Sequence, residues 1–301
     1  MRSRKNYIAV LFFILSIINF VIFFYRDRFT YHKYATYPSL YSSDTTSWKK
    51  FIDDYPKLDL IEAKGIVDSL HIDEQPTPFK VLEIGKFLYN RFKKQLGRSS
   101  SQLVSASPLM QYKILQSSDT VKLWCGNFAE VFAFFCWSKG IISRVIEIVN
   151  PGDHHVLNEC YLPETREWVV SDLTHNHLLI RKSNDKGYAN LLQLRDSPDQ
   201  TFSSLQATDS SIVSHPLDPT FYDKYFGRKN PIYYYYRTNN SEVYRMGEKI
   251  KRYFLPCAWY EEVGERPMIN YCFYIKQFFV LLWLISLILL IWLLVSPKSK
   301  L

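Results

Sequence analysis

No aspartate or glutamate occurs in residues 1–25 or in residues 278–301. The chain also contains no HExxH, no CxxC and no visible internal repeat. Each absence removes a class. Without HExxH the common helical signature of a zinc hydrolase is missing. Without CxxC the cysteines Cys125, Cys136, Cys160, Cys257 and Cys272 match no structural zinc motif. A concentrated basic face is missing too. The formal net charge is +8, but Arg2, Arg4, Lys5, Lys298 and Lys300 lie at the ends. The remaining 32 of the 37 basic residues, between 26 and 277, nearly balance the 29 acids. A nucleic-acid partner is therefore not expected.

The acid-free ends are long apolar runs. "YIAVLFFILSIINFVIFFY", residues 7–25, carries no charge and only Ser16 and Asn19 as clearly polar members. "FFVLLWLISLILLIWLLV", residues 278–295, carries no charge either. A helix that crosses a bilayer needs about 20 apolar residues. Both runs read as transmembrane helices, which makes the lipid bilayer a partner. "FFYRDRF" offers no small-x-small cleavage site, so the first run reads as a span rather than a signal peptide. The second is apolar on every face, unlike a helix packed on a soluble core. Two spans put residues 1–6 and 296–301 on one side and 26–277 on the other. The basic residues flanking the spans are nearly tied, and the two further lysines of the tail place the termini in the cytoplasm. The central domain is then extracytoplasmic, where an odd number of cysteines points to a free thiol.

Between the spans, residues 26–76 read as a Tyr- and Ser-rich linker, at 29–45, followed by short helices. Residues 77–195 read as a folded core, and 196–277 as a Ser- and Tyr-rich extension with a juxtamembrane segment. Within the core, residues 77–96 form a helical pattern through Val81, Ile84, Leu88 and Phe92. Residues 98–107 read as a loop and 108–118 as a short helix. From Phe128 the apolar spacing is helical again, with Gly140 where a carboxy-terminal cap belongs. The period then changes to two. Residues 141–149, 154–162 and 168–172 read as strands joined by hairpin-length turns, so the sheet is expected to be antiparallel. Residues 196–216 read as loop, and "NPIYYYYR" is ambiguous.

Nucleophilic catalysis by a thiol needs a thiolate, a base that returns the proton, and a group that orients the base. The chain offers these in order. Cys125, in "LWCGNF", stands at a helix amino terminus, where free N–H groups and the dipole favour a thiolate. His155 opens the second strand and Asp172 ends the third, so neighbouring antiparallel strands can bring them together. His154 competes with His155 for the role of base, and on a strand the two point to opposite faces. Cys136 and Cys160 fall inside the helix and the second strand, as core residues or a disulfide pair.

From Cys125 through "GNFAEVFAFFCWSKGIISRVI" the sequence resembles the opening of the transglutaminase-like proteins, including their G-I-x-x-R element at Gly140, Ile141 and Arg144. The family's HxWxE motif is matched by His155 and Glu159 in "HVLNE". Its WxxxDxT motif is matched by Trp168, Asp172 and Thr174 in "WVVSDLT". The order Cys, His, Asp and the gaps of 30 and 17 residues fit as well. The likeness covers roughly residues 77–177. Leu123, Val156, Leu157 and Leu173 depart from the family pattern, which bears on the substrate groove. The resemblance implies an α+β fold with a papain-like core, in which the cysteine-bearing helix packs on an antiparallel sheet. It also implies an acyl-enzyme mechanism through Cys125, His155 and Asp172, supported by Trp124, Glu159 and Trp168. The substrate would be a peptide or another molecule bearing an amide or ester bond, with no cofactor and no metal. Two other readings remain open: a non-catalytic binding or assembly module on the same fold beside an envelope machine, and a zinc hydrolase using His175 and His177 with the other histidines and Asp172.

Overall fold

The computed structural model describes residues 2–25, 33–35, 40–41, 45–53, 55–104, 106–150, 152–183, 187–196, 201–227, 230–235, 260–263 and 270–295. The chain divides into two units. One comprises residues 1–32, 245–258 and 268–301, the other residues 33–244 and 259–267.

The first unit holds the helices Arg2–Phe24 and Tyr271–Val295. Each contains a stretch long and apolar enough to cross a membrane. They pack on each other through the few polar groups in their runs. Asn19 Nδ2 donates to the carbonyl of Phe279 at 3.3 Å, and Trp283 Nε1 donates to Ser16 Oγ at 2.9 Å. Phe12 stacks on Trp283 with ring centroids 5.6 Å apart. A polar group in an apolar helix finds its partner on the neighbouring helix or on its own backbone, and here Asn19 does both. The second helix begins at Tyr271, seven residues before the expected boundary at 278, and takes in Lys276. "YCFYIKQ" has no glycine or proline to stop it, and the Lys276 ammonium lies 4.4 Å from the Phe273 ring centroid.

The second unit is α+β. Its helices are α1 (Lys57–Asp68), α2 (Thr77–Phe92), α3 (Pro108–Ser117), α4 (Cys125–Ser138) and α5 (Pro219–Phe226), with shorter turns between them. Its strands are β1 (Lys33–Ala35), β2 (Ser143–Asn150), β3 (Asp153–Leu162), β4 (Glu167–Ser171), β5 (Leu179–Lys182), β6 (Phe202–Ala207), β7 (Ile212–Pro216), β8 (Ile232–Tyr235) and β9 (Tyr260–Val263). The larger sheet runs β1-β9-β8-β2-β3-β4, antiparallel except where β1 meets β9. The smaller sheet is the antiparallel set β5-β6-β7.

Helix α4 is the pivot. Phe128, Val131, Phe132, Ala133, Phe134, Phe135 and Cys136 are all fully buried. An apolar residue on nearly every face requires cover on every side, and α1, α2 and α3 supply it together with β2 and β3. Gly140 closes the helix in a left-handed conformation (φ 73°), and the amide of Ile141 donates back to the Cys136 carbonyl at 3.0 Å. Both faces of the central strands are buried. Val145, Cys160, Leu162 and Val169 face the helices, while Ile146, Ile148, Leu157, Trp168 and Val170 face α5 and the segment around Leu191. This is the alternation of a strand with two apolar layers.

The three expected strands form β2, β3 and β4 within two residues of their read boundaries. The 77–96 pattern forms α2 and a following 3₁₀ turn, Lys93–Gln95. Other expectations are corrected. Residues 196–216 are not all loop, since 202–216 fold as the β6–β7 hairpin. Their apolar alternation is thin because serine occupies inward positions such as the fully buried Ser204, and backbone pairing with β5 holds the hairpin instead. The 29–45 stretch is not simply a linker. It contributes β1, and it inserts Leu40 and Tyr41 into the domain. Ser101–Val104 adds a helical turn inside the expected loop, and "NPIYYYYR" supplies β8. The basic and aromatic stretch at 243–259, with Cys257, and the tail at 296–301 lie outside the described residues.

Candidate active site

Three elements converge on one cluster. The β3–β4 register pairs Asn158 with Ser171, so Asp172, one step further, lies opposite Leu157 and diagonal to His155. His155 Nε2 and Asp172 Oδ2 are 2.7 Å apart, and both side chains are almost fully buried. Cys125, the first residue of α4, brings its thiol close enough to act on the His155 imidazole. With Nε2 directed at Asp172, the Nδ1 side of the ring is the one left for the thiol. His154, by contrast, is exposed and pairs with Glu147 at 2.9 Å. The strand period alone separates the two histidines.

The turn that carries Asp172 is tightly closed. Asp172 and His177 exchange both backbone hydrogen bonds, at 2.7 and 2.8 Å. Asn176 turns the chain in the left-handed region (φ 61°), which asparagine tolerates better than most residues. Asp172 Oδ1 accepts from the amides of Thr174 and His175 at 3.1 and 3.4 Å, and Oδ2 is shared with His175 Nδ1 at 2.8 Å. From α5, Phe221 and Tyr225 cover the imidazoles. Tyr225 lies 4.5 Å from His155 and Phe221 lies 4.7 Å from His175, centroid to centroid. The opposite side of α5, with Pro219, Tyr222 and Asp223, lines a cavity of about 800 Å³ together with Arg181, Phe202 and His215. Helix α5 thus separates that cavity from the imidazoles.

Charge follows the geometry. Burial pushes the His155 imidazolium down, but the Asp172 carboxylate and the Cys125 thiol outweigh it and raise the ring to about 10. Burial pushes Asp172 up, and His155 and His175 more than reverse this, so its carboxyl lies well below the usual range. His177 has no such partner close enough to compensate. Burial holds it down to about 4, and its Nδ1 is buried without a hydrogen bond. The stability consequences have opposite signs. A raised histidine stabilises fully below its unfolded value near 6.5, and that stabilisation fades as pH rises towards 10. A depressed histidine opposes folding as pH falls from 6.5 towards 4. Thermal midpoints measured from about pH 4 to 10 should therefore peak near 6.5. Asp172→Asn should flatten the alkaline side and His177→Gln the acid side. An unchanged alkaline slope in Asp172→Asn would overturn the assignment.

The expected supporting residues separate. Trp124 is the amino-terminal cap of α4 and is 56% exposed beside Cys125. Glu159 and Trp168 do not touch the cluster. Arg144 stands directly across from Glu159 in the β2–β3 register, and its Nε and Nη2 donate to Glu159 Oε2 at 2.9 and 2.5 Å. The guanidinium lies 3.8 Å from the Trp168 ring and 4.4 Å from that of Tyr234. The two motif positions are thus one buried ion pair in an aromatic cage. The departures Leu123, Leu157 and Leu173 are buried, Leu123 and Leu173 in the layer on the helix side, where Val156 also packs, and Leu157 in the layer towards α5. Cys136 and Cys160 are free thiols in contact within the core, where burial raises Cys136 well above the usual thiol range. Sequence reading missed His175 as a ligand of Asp172, and it missed Tyr41, Trp48, Phe221, Tyr225 and Tyr234. No local signal marks them, since each comes from a distant segment or from a short turn.

His155, Asp172 and His175 also form, among the described residues, a group that could hold a metal, with their donor atoms within 4.8 Å of one another. Tetrahedral zinc, at about 2.0–2.1 Å from each donor, would hold those donors about 3.3 Å apart. The 2.7 and 2.8 Å separations here are those of hydrogen bonds.

No family model matches the sequence, and no curated protein matches it. Among solved structures the chain is similar to a candidate cysteine protease from Cytophaga hutchinsonii, at 21% identity over 46% of this chain and 45% of that one, with a TM-score of 0.25. The chain spans less than half of that relative, and at that score the likeness carries no functional argument. Cys125, His155 and Asp172 are brought together by α4, β3 and the turn after β4.

Proposed function

We propose that this chain is a membrane-anchored thiol enzyme that cleaves or exchanges an amide or ester bond through an acyl-enzyme on Cys125. The observation that supports it is the cluster in which Cys125, at the first turn of α4, acts on the His155 imidazole while His155 Nε2 lies 2.7 Å from Asp172 Oδ2. In the first half-reaction the Cys125 thiolate, whose proton His155 already holds as an imidazolium, attacks the substrate carbonyl carbon. The carbon–nitrogen or carbon–oxygen bond breaks, and His155 returns the proton to the departing amine or alcohol. Water, or an amine, then attacks the thioester while His155 takes up the incoming proton, and the thiol is restored. Asp172 keeps the imidazole in one tautomer and stabilises its cationic form. The first turn of an α-helix directs backbone N–H groups outward, and those of α4, beside Cys125, would favour the developing oxyanion.

The two apolar helices support membrane anchoring through their length, their exposed apolar side chains and their mutual polar contacts. On this reading the segments before the first helix and after the last share the cytoplasmic side, and the sheet domain is extracytoplasmic.

The test uses the full chain in detergent with two probes, iodoacetamide and p-nitrophenyl acetate. Peptide mass spectrometry should locate the rapid adduct formed at about pH 6 on Cys125, where an unactivated thiol is slow. Cys125→Ala should abolish ester hydrolysis, and EDTA should leave it unchanged. An inert Cys125 would point to the non-catalytic module. Loss of activity on chelation would point to the zinc reading.

A further inference from the structure

A triad needs one imidazole on its carboxylate, yet Asp172 serves two. Oδ2 receives both His155 Nε2 and His175 Nδ1, at 2.7 and 2.8 Å, while Oδ1 receives two backbone amides. Every lone-pair direction of the carboxylate is thus in use, and the carboxylate cannot swing without breaking bonds. His175 is also the member of the cluster that meets solvent. Its side chain is 36% exposed, against 3% for His155 and 1% for Asp172. The two rings meet edge to face, with centroids 4.7 Å apart.

We propose that His175 is a positioning residue of the Cys125 site: its Nδ1–H fixes Asp172 Oδ2 on His155 Nε2 and so sets the direction and proton affinity of the base. This deepens the thiol-enzyme reading and rests on it. The hydrogen-bond logic is specific. A second donor on Oδ2 shares the carboxylate's negative charge, so His155 feels less of it than it would alone. Removing that donor concentrates the charge on His155 and frees the carboxylate to rotate. The first effect makes the imidazolium harder to deprotonate. The second lowers the rate. The other titratable groups facing His175 are His177 in the same turn and Tyr225 on α5, with Cys125 beyond His155. Tyr225 is tied in turn to Asp153 and Lys224, and Asp218 acts on His177. Of these, His177 feels His175 directly, but burial holds it down to about 4, far from the alkaline limb, so a change in that limb reports the lost donor.

The experiment compares His175→Phe, which keeps a ring but cannot donate, with His175→Asn, whose amide can donate from near the Nδ1 position. Cys125-dependent hydrolysis of p-nitrophenyl acetate by the full chain in detergent is followed from about pH 5 to 10, alongside thermal midpoints. His175→Phe should lower the maximal rate about tenfold, within the range of a general-base contribution, and move the alkaline limb to higher pH. His175→Asn should recover the rate to within about threefold and restore the limb. If wild-type hydrolysis depends on Cys125 and His155 but His175→Phe matches wild type in rate and profile, the proposal is overturned and the thiol-enzyme reading stands. If both His175 variants fall equally, with lowered midpoints and an unmoved limb, His175 is structural and the proposal is again overturned. If Cys125→Ala hydrolyses as fast as wild type, the reading itself fails and takes this inference with it.

Discussion

Replacing Asp172 by asparagine lowers Cys125-dependent ester hydrolysis roughly 10³–10⁴-fold near pH 7, the scale seen when the orienting carboxylate of a triad is neutralised. The geometry says why. The new amide oxygen keeps the two backbone N–H bonds that Oδ1 now accepts from Thr174 and His175. Its NH₂ group then stands where Oδ2 was and donates towards His155 Nε2. The imidazole must answer as an acceptor there and carry its proton on the other nitrogen, the one that faces Cys125. A protonated neutral Nδ1 cannot take the thiol proton, so the step that generates the nucleophile is blocked while the fold persists. His155→Ala should produce a loss of similar size by removing the base. His154→Ala should leave the rate within about twofold, because that ring is exposed and paired with Glu147 instead. The measurement is initial-rate hydrolysis of p-nitrophenyl acetate by each full-length variant, with thermal midpoints alongside. A large loss in His154→Ala with none in His155→Ala would reverse the assignment of the base.

Breaking the Arg144–Glu159 pair should destabilise the domain by about 3–5 kcal/mol, because a lone charge is left buried. Both side chains are 0% exposed. Arg144 also donates from Nη1 to the Leu40 carbonyl at 2.8 Å. Glu159 Oε1 accepts from Tyr41 at 3.0 Å and from the amide of Leu191 at 2.7 Å. The pair therefore ties β2 and β3 to two segments distant in sequence. In Glu159→Gln the amide oxygen can retain Tyr41 and Leu191, but its NH₂ then faces the guanidinium, donor against donor. In Arg144→Met the carboxylate keeps its hydrogen bonds to Tyr41 and Leu191 but loses the guanidinium that pairs with it. Urea unfolding of both single variants and of Arg144→Met/Glu159→Leu closes the cycle. The double variant should be more stable than either single one, since an apolar pair leaves no charge uncompensated. Single-variant losses below about 1 kcal/mol would mean that water reaches the pair. This large effect should be read in stability, because neither residue touches Cys125, His155 or Asp172.

Local pattern is legible along a chain, and the partners of a side chain are not. Periodicity reported the three central strands, the helix behind Cys125 and the two apolar helices, because each is a local pattern whose burial repeats every 2 or 3.6 residues. Motif spacing also placed Glu159 with His155, since residues four apart on a strand share a face. Their roles could not be read the same way. One four-residue step separates a group bonded to Asp172 from a group bonded to Arg144.

Composition marked both ends as candidate spans, through acid-free apolar runs that need no fold to be recognised. By itself the sequence determined the strand order β2-β3-β4, the position of Cys125 at a helix start, and the pairing of opposite faces that sets His155 apart from His154. Only the tertiary structure decided that Asp172 is shared with His175, that α5 covers the imidazoles, and that serine-rich residues 202–216 form a hairpin. The reason is physical. Local pattern records which face of an element is buried. Partners such as Arg144 with Glu159 and Tyr41 with Glu159, 15 and 118 residues apart, are selected by the packing of the whole domain, and His175, only three residues from Asp172, reaches its carboxylate because the Asn176 turn folds back on itself.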